Sequence, residues 1–238
     1  MFKNILKIIV VFIFGIVGGI FANQILWPYF VERPLFYKYK LANVPVYVNE
    51  TKEITIQENV ALQDCVEKIE KSIVGIKTKT KTGKVITGSG LIVTSDGLIV
   101  TLSELVPQGG DSVFFINGET PNSQILKRDV ENNLALVKIE KEDLVTVGFA
   151  DFDKIKLGQR AFLSGMIFTK TDRLKMVNEG IIKFFTRDYI RTNIFEKNTL
   201  RGSALFNING ELLGLNTIDS EGKVTAIPIT IIRDFIGY

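Results

Sequence analysis

The chain has 238 residues, 46% of them hydrophobic, with 29 Lys and Arg against 26 Asp and Glu and a formal net charge of +3. The charge is small and the basic residues are spread along the chain, which argues against a nucleic-acid partner. There is no histidine and Cys65 is the only cysteine, so no zinc or haem site, no internal disulfide and no cofactor is expected.

The first element is apolar. Between Ile5 and Trp27 only Lys7, Asn23 and Gln24 are polar, and Ile8 to Ala22 is an unbroken run of apolar residues and glycines. At about 1.5 Å per residue such a helix crosses a hydrocarbon core of about 30 Å. Trp27, Tyr29 and Phe30 fit an interfacial aromatic belt. Residues 1–27 therefore read as a retained transmembrane signal anchor. The competing reading, a leader cleaved after Ala22, would place Ile20 at the minus-three position. Lys3 and Lys7 precede the segment and Arg33, Lys38 and Lys40 follow it, so charge does not choose an orientation. The very short leading tail favours a single-pass protein whose remaining chain lies on the extracytoplasmic side. Gly15 and Gly19 form a G-x-x-x-G pair, read as ordinary membrane-helix glycines.

Residues 28–57 carry Pro28, Pro34 and Pro45 among aromatic and basic residues, and read as an extended juxtamembrane tether. The triplet Asn49-Glu50-Thr51 matches a glycosylation acceptor, a pattern that is frequent by chance. Over residues 58–72, Val60, Leu62, Val66 and Ile69 recur at helical spacing. Cys65 falls on that helix as a buried, inert thiol.

The period then changes to that of strands, at about 73–80, 85–93, 98–102, 112–117, 121–128 and 134–139. A second set follows at about 160–167, 174–185, 188–194, 203–208, 211–218 and 223–227. Thr82-Gly83, Asp96-Gly97, Asn117-Gly118, Asn209-Gly210 and Glu221-Gly222 are the turn signals. Pro228 opens a short C-terminal helix with Ile229, Ile232 and Phe235 on one face. Spacing alone supports only the expectation of an all-β class.

Three blocks carry a resemblance. Thr87-Gly88-Ser89-Gly90-Leu91-Ile92-Val93-Thr94-Ser95-Asp96-Gly97, running on to Thr101-Leu102-Ser103-Glu104-Leu105-Val106, resembles the opening strands of HtrA-type (Deg-type) trypsin-like serine proteases. Asn133-Leu134-Ala135-Leu136-Val137-Lys138-Ile139 is similar to the segment whose leading Asp orients the catalytic His in that family. Ile190 to Asn207 is similar to the segment that carries the nucleophilic Ser. Gly210-Glu211-Leu212-Leu213-Gly214-Leu215-Asn216-Thr217 and Ala226-Ile227-Pro228-Ile229 extend the match, which covers about residues 59 to 238.

The resemblance implies two six-stranded β-barrels of the trypsin/chymotrypsin type, at about 73–145 and 146–227. The N-terminal transmembrane helix and the short helices 58–72 and 228–238 flank them. No PDZ domain is expected after the Ala226-Ile227-Pro228 segment, and the family resemblance alone implies a homo-oligomer, a trimer.

The resemblance also places Glu104, Asn133 and Arg201 at the positions of the general base, orienting acid and nucleophile. Thr199 stands where an oxyanion-hole glycine is used, and Asn193 replaces a further acidic residue. A triad needs a hydroxyl, an imidazole and a carboxylate, and no position supplies its part. The expectation is therefore a membrane-anchored pseudoprotease, not an enzyme, that binds a polypeptide ligand in the inter-barrel cleft. In it a Glu104–Arg201 ion pair fills the former catalytic centre and the Asn133 amide bonds to one of the two. The alternative is a serine-type endopeptidase with a relocated or atypical active site in extracytoplasmic proteolysis. Ser103 and Ser203 are the nearest hydroxyls, though turn or strand roles account for both.

Overall fold

The computed structural model describes residues 2–32 and 58–237, and the chain divides into two compact units, 1–55 and 56–238. The proline-bearing segment 33–57, with Asn49-Glu50-Thr51, lies outside the described residues.

In the first unit α1 (Phe2–Phe21) continues as a π-helical stretch (Ala22–Glu32). Lys3–Trp27 spans 25 residues and contains an 18-residue window of mean hydropathy 2.7, long and apolar enough to cross a membrane. Its apolar side chains, Phe14 and Val11 among them, are exposed on every face, as a lipid-facing helix requires.

The second unit begins with α2 (Glu58–Ile69) and a 3-10 turn (Glu70–Ser72). The first six strands are β1 (Ile73–Lys79), β2 (Val85–Ile92), β3 (Leu98–Leu102), β4 (Asp111–Phe115), β5 (Ser123–Asp129) and β6 (Leu134–Ile139). They form one antiparallel sheet in the order β4-β1-β2-β3-β6-β5. Six more follow: β7 (Arg160–Phe168), β8 (Arg173–Phe185), β9 (Ile190–Phe195), β10 (Ala204–Asn207), β11 (Leu212–Ile218) and β12 (Lys223–Pro228). These close into a barrel in the order β10-β11-β12-β9-β8-β7, and α3 (Ile229–Ile236) ends the unit.

Two expectations need correction. The first sheet is not a closed barrel: β4 and β5 are its two edges and do not pair with each other. The connection between them explains why. Asn117, at φ 49°, and Gly118, at φ 90°, make a turn that pairs only Ile116 with Glu119. Pro121, which follows, has no N–H to offer a ladder. The class is also not all-β. With three α-helices among the described residues, one of them the 20-residue α1, the chain mixes α and β around one closed barrel and one open sheet.

Burial follows the pleat. β12 alternates half-buried and buried residues, while β2 is buried from Gly88 to Ile92, where it lies at the junction of the two sheets. One core lies against the open sheet (Val74, Ile76, Ile99, Phe114, Val137) and another fills the barrel (Leu163, Ile182, Leu205, Leu213, Val224). A third joins them, with Leu91, Leu102, Leu105, Phe162, Phe206 and Leu215 at its centre. Cys65 and Ile69 of α2 and Ile229, Ile232 and Phe235 of α3 close it from outside. The rings of Phe162 and Phe206 stack there at 5.4 Å. This shared core holds the sheets in register, and the cleft lies at its edge.

Candidate functional site

Three loops from distant parts of the sequence meet at the junction of the sheets. After β3 the chain turns through a 3-10 segment, Ser103–Leu105, whose middle residue Glu104 projects outward while Ser103 and Leu105 are buried. Between β5 and β6, Asn133 adopts φ 54°, a left-handed conformation that asparagine tolerates better than most residues. The preceding turn is held by Asp129, which accepts the Asn132 backbone N–H at 3.0 Å and its amide at 2.7 Å. The Asn132 N–H and amide keep the Asp129 carboxyl below the usual carboxylate range.

Asn133 then ties its loop to the first. Its Oδ1 accepts the Glu104 backbone N–H at 3.1 Å and the Ser103 hydroxyl at 2.9 Å, and its carbonyl accepts the Ser103 N–H at 3.1 Å. The amide thus serves the backbone of Glu104 and the side chain of its neighbour. The Glu104 carboxylate stays available to the cleft.

Arg201 arrives from the barrel side, after the 3-10 turn Asn198–Leu200. Its carbonyl accepts the Ser89 N–H of β2 at 2.8 Å, which pins the loop to the open sheet. Gly202, at φ 72°, donates to the Asn216 carbonyl at 2.8 Å. A Cβ on Gly202 would run into the Ser89 carbonyl and, at 2.9 Å, the Leu105 side chain, so only glycine allows this approach. Ser89 completes the joint, its hydroxyl accepting the Met166 N–H at 2.8 Å and its carbonyl the Thr101 hydroxyl at 2.7 Å.

The Arg201 guanidinium reaches in two directions. Nη1 donates to Glu104 Oε2 at 3.1 Å, forming the expected ion pair, and Nη2 donates to the Ile218 carbonyl at 3.3 Å. With side chains 31% and 38% exposed, such a pair contributes at most about 1 kcal/mol. Nε is buried without a partner among the described residues. Around the pair opens a cavity of about 240 Å³, lined by Lys84, Ile86, Thr87, Glu104, Leu105, Thr199 and Arg201.

Thr199 is exposed on this lining, within the 3-10 turn. Ser203 is fully buried and accepts from the Asn216 amide at 3.1 Å, away from the cavity. Asn193 caps the Ile181 N–H at 2.7 Å and takes no part. Sequence reasoning missed Lys84, which follows the Thr82-Gly83 turn, and the Ile218 carbonyl, a backbone group with no sequence signal. Among the described residues no cluster of ligating side chains could hold a metal.

The fold and this junction define the class. Residues 88–215 match the trypsin-like peptidase domain family, and the chain belongs to it. Within the family its likeness is to HtrA/DegP-like proteins. It is 31% identical over 112 residues to a probable periplasmic serine protease, do/HhoA-like, of Haemophilus influenzae, covering 42% of this chain and 23% of the relative. It is 28% identical over 113 residues to the periplasmic pH-dependent serine endoprotease DegQ of Escherichia coli, covering 44% and 25%. These matches span about a quarter of those relatives. Among solved structures, an HtrA-type protease, AlgW, with a tripeptide superposes with a TM-score of 0.67 at 22% identity, over 74% of this chain and 62% of that one. The expectation that the chain is not an enzyme does not stand against the two curated relatives, which are described as a probable serine protease and a serine endoprotease.

Proposed function

We propose that this chain is an extracytoplasmic serine-type endopeptidase of the HtrA class with an atypical active site. Residues 1–27 act as a membrane anchor, 28–57 as a tether and 58–238 as the trypsin-fold domain. The observation that carries this reading is the convergence of Glu104 and Arg201, from separate loops, on one cavity at the junction of the sheets, with Asn133 of a third loop holding the Glu104 backbone in place. The periplasmic relatives support placing the domain outside the cytoplasmic membrane.

These three positions correspond, on the resemblance, to those of the base, orienting acid and nucleophile, and Thr199 to an oxyanion glycine. With no histidine in the chain, the proton acceptor on the lining is the Glu104 carboxylate. The hydroxyl residues on the same lining are Thr199 and Thr87. Acyl transfer at this site would use one of them, with the guanidinium of Arg201 opposite the developing negative charge. An extended polypeptide laid along the cleft is the substrate this arrangement suits.

The test is incubation of the full chain, in detergent, with an unfolded protein, the products being read by mass spectrometry. Cleavage that falls by at least about tenfold in Glu104→Gln and in Thr199→Val or Thr87→Val is expected. Absence of cleavage by a folded chain that still binds the polypeptide would overturn the endopeptidase reading.

A further inference from the structure

The Arg201 side chain bridges Glu104, on the cavity lining, and the Ile218 carbonyl at the end of β11. The Ile218 backbone faces the cleft for a reason of strand geometry. Asn216 N–H and C=O bond inward to Ser203 and Gly202, and backbone groups two residues apart point the same way. Ile218 therefore offers a free strand edge, and Arg201 occupies it.

Three features make this bridge exchangeable. The Glu104 carboxylate is partly exposed, so solvent and solutes reach its bond to Nη1. The two bonds of the bridge are long, 3.1 Å from Nη1 and 3.3 Å from Nη2. Lys84 lines the same cavity, so two cations face a single carboxylate there.

We propose that the Glu104–Arg201–Ile218 bridge is a gate opened by an acidic side chain on an incoming extended polypeptide. The substrate carboxylate takes the place of Glu104 on Arg201, with Lys84 as the second cation. The released Ile218 carbonyl accepts a backbone N–H from the same segment. Arg201 and Lys84 thus determine specificity for acidic segments, and Glu104 is the internal competitor. The inference rests on the polypeptide-cleft reading above.

The test uses the full chain in detergent and two fluorescent peptides, acetylated and amidated so that neither has a terminal carboxylate. They differ only by a central Glu or Gln. Anisotropy is expected to show the Glu peptide bound about tenfold more tightly, with the difference shrinking at high salt. Arg201→Gln and Lys84→Gln should each bring the two affinities together, and Glu104→Gln should tighten the Glu peptide. Circular dichroism establishes that each variant is folded, and Lys84, exposed beside a turn, is the variant least exposed to folding defects. Equal affinity for the two peptides in the unmodified chain would overturn the gate and leave the cleft reading standing. Failure to bind either peptide would overturn both. A Glu preference that survives in both cation variants would place the recognition elsewhere and overturn the gate.

Discussion

Gly202 shows how much of the site depends on single residues. Its left-handed backbone lets the Arg201 carbonyl meet the Ser89 N–H while the next strand starts two residues later. Gly202→Ala adds a strained φ, which costs about 1–3 kcal/mol, and a collision with the Ser89 carbonyl. A fall in thermal midpoint of roughly 10 °C or more is expected in a melting experiment. Cys65 illustrates the opposite case. Its thiol donates to the Ile208 carbonyl at 2.8 Å, and burial pushes its pKa up. It should react with a thiol reagent at mildly alkaline pH much more slowly than free cysteine and reach the free rate only in denaturant. The helical spacing around Cys65 was enough to foresee this burial. The double role of Asn133, serving Glu104 through its backbone and Ser103 through its hydroxyl, was not legible, because it depends on a turn conformation and a loop 29 residues away.

At the scale of elements, the period-2 runs and the glycine-bearing turn signals located the twelve strands of the described residues to within a few residues. α3 begins after Pro228 as the proline signal requires. Strand closure was another matter. Whether β4 and β5 pair is decided by the path of the 116–122 connection, and strand-forming residues do not report that path. The barrel and the open sheet are locked together chiefly by the shared core. Phe206→Ala, which removes a fully buried ring stacked on Phe162, is expected to cost about 3–5 kcal/mol in a denaturant titration. Phe195→Ala, at an exposed position on β9, should cost less than about 1 kcal/mol.

For the whole molecule, the absence of histidine sets the response to pH. Asp96, beside Lys138, Asp129, bonded by Asn132, and Asp219, bonded by the Lys223 N–H, all have folded pKa values below the usual range. Each therefore contributes stability above its unfolded value, near 4, and loses that contribution as pH falls through the lower folded value. Thermal midpoints should be nearly flat from about pH 5 to 8, where no imidazole titrates, and decline below about pH 4. A step near pH 6.5 would contradict this account. By itself the sequence determined the apolar helix, the strand positions and the family, since these rest on local period, turn chemistry and a linear pattern of blocks. The tertiary structure decided that the first sheet stays open, that Arg201 reaches both Glu104 and Ile218, and that Lys84 joins them. Those outcomes depend on how distant loops approach, and a cavity wall assembled from three segments has no signature along the chain.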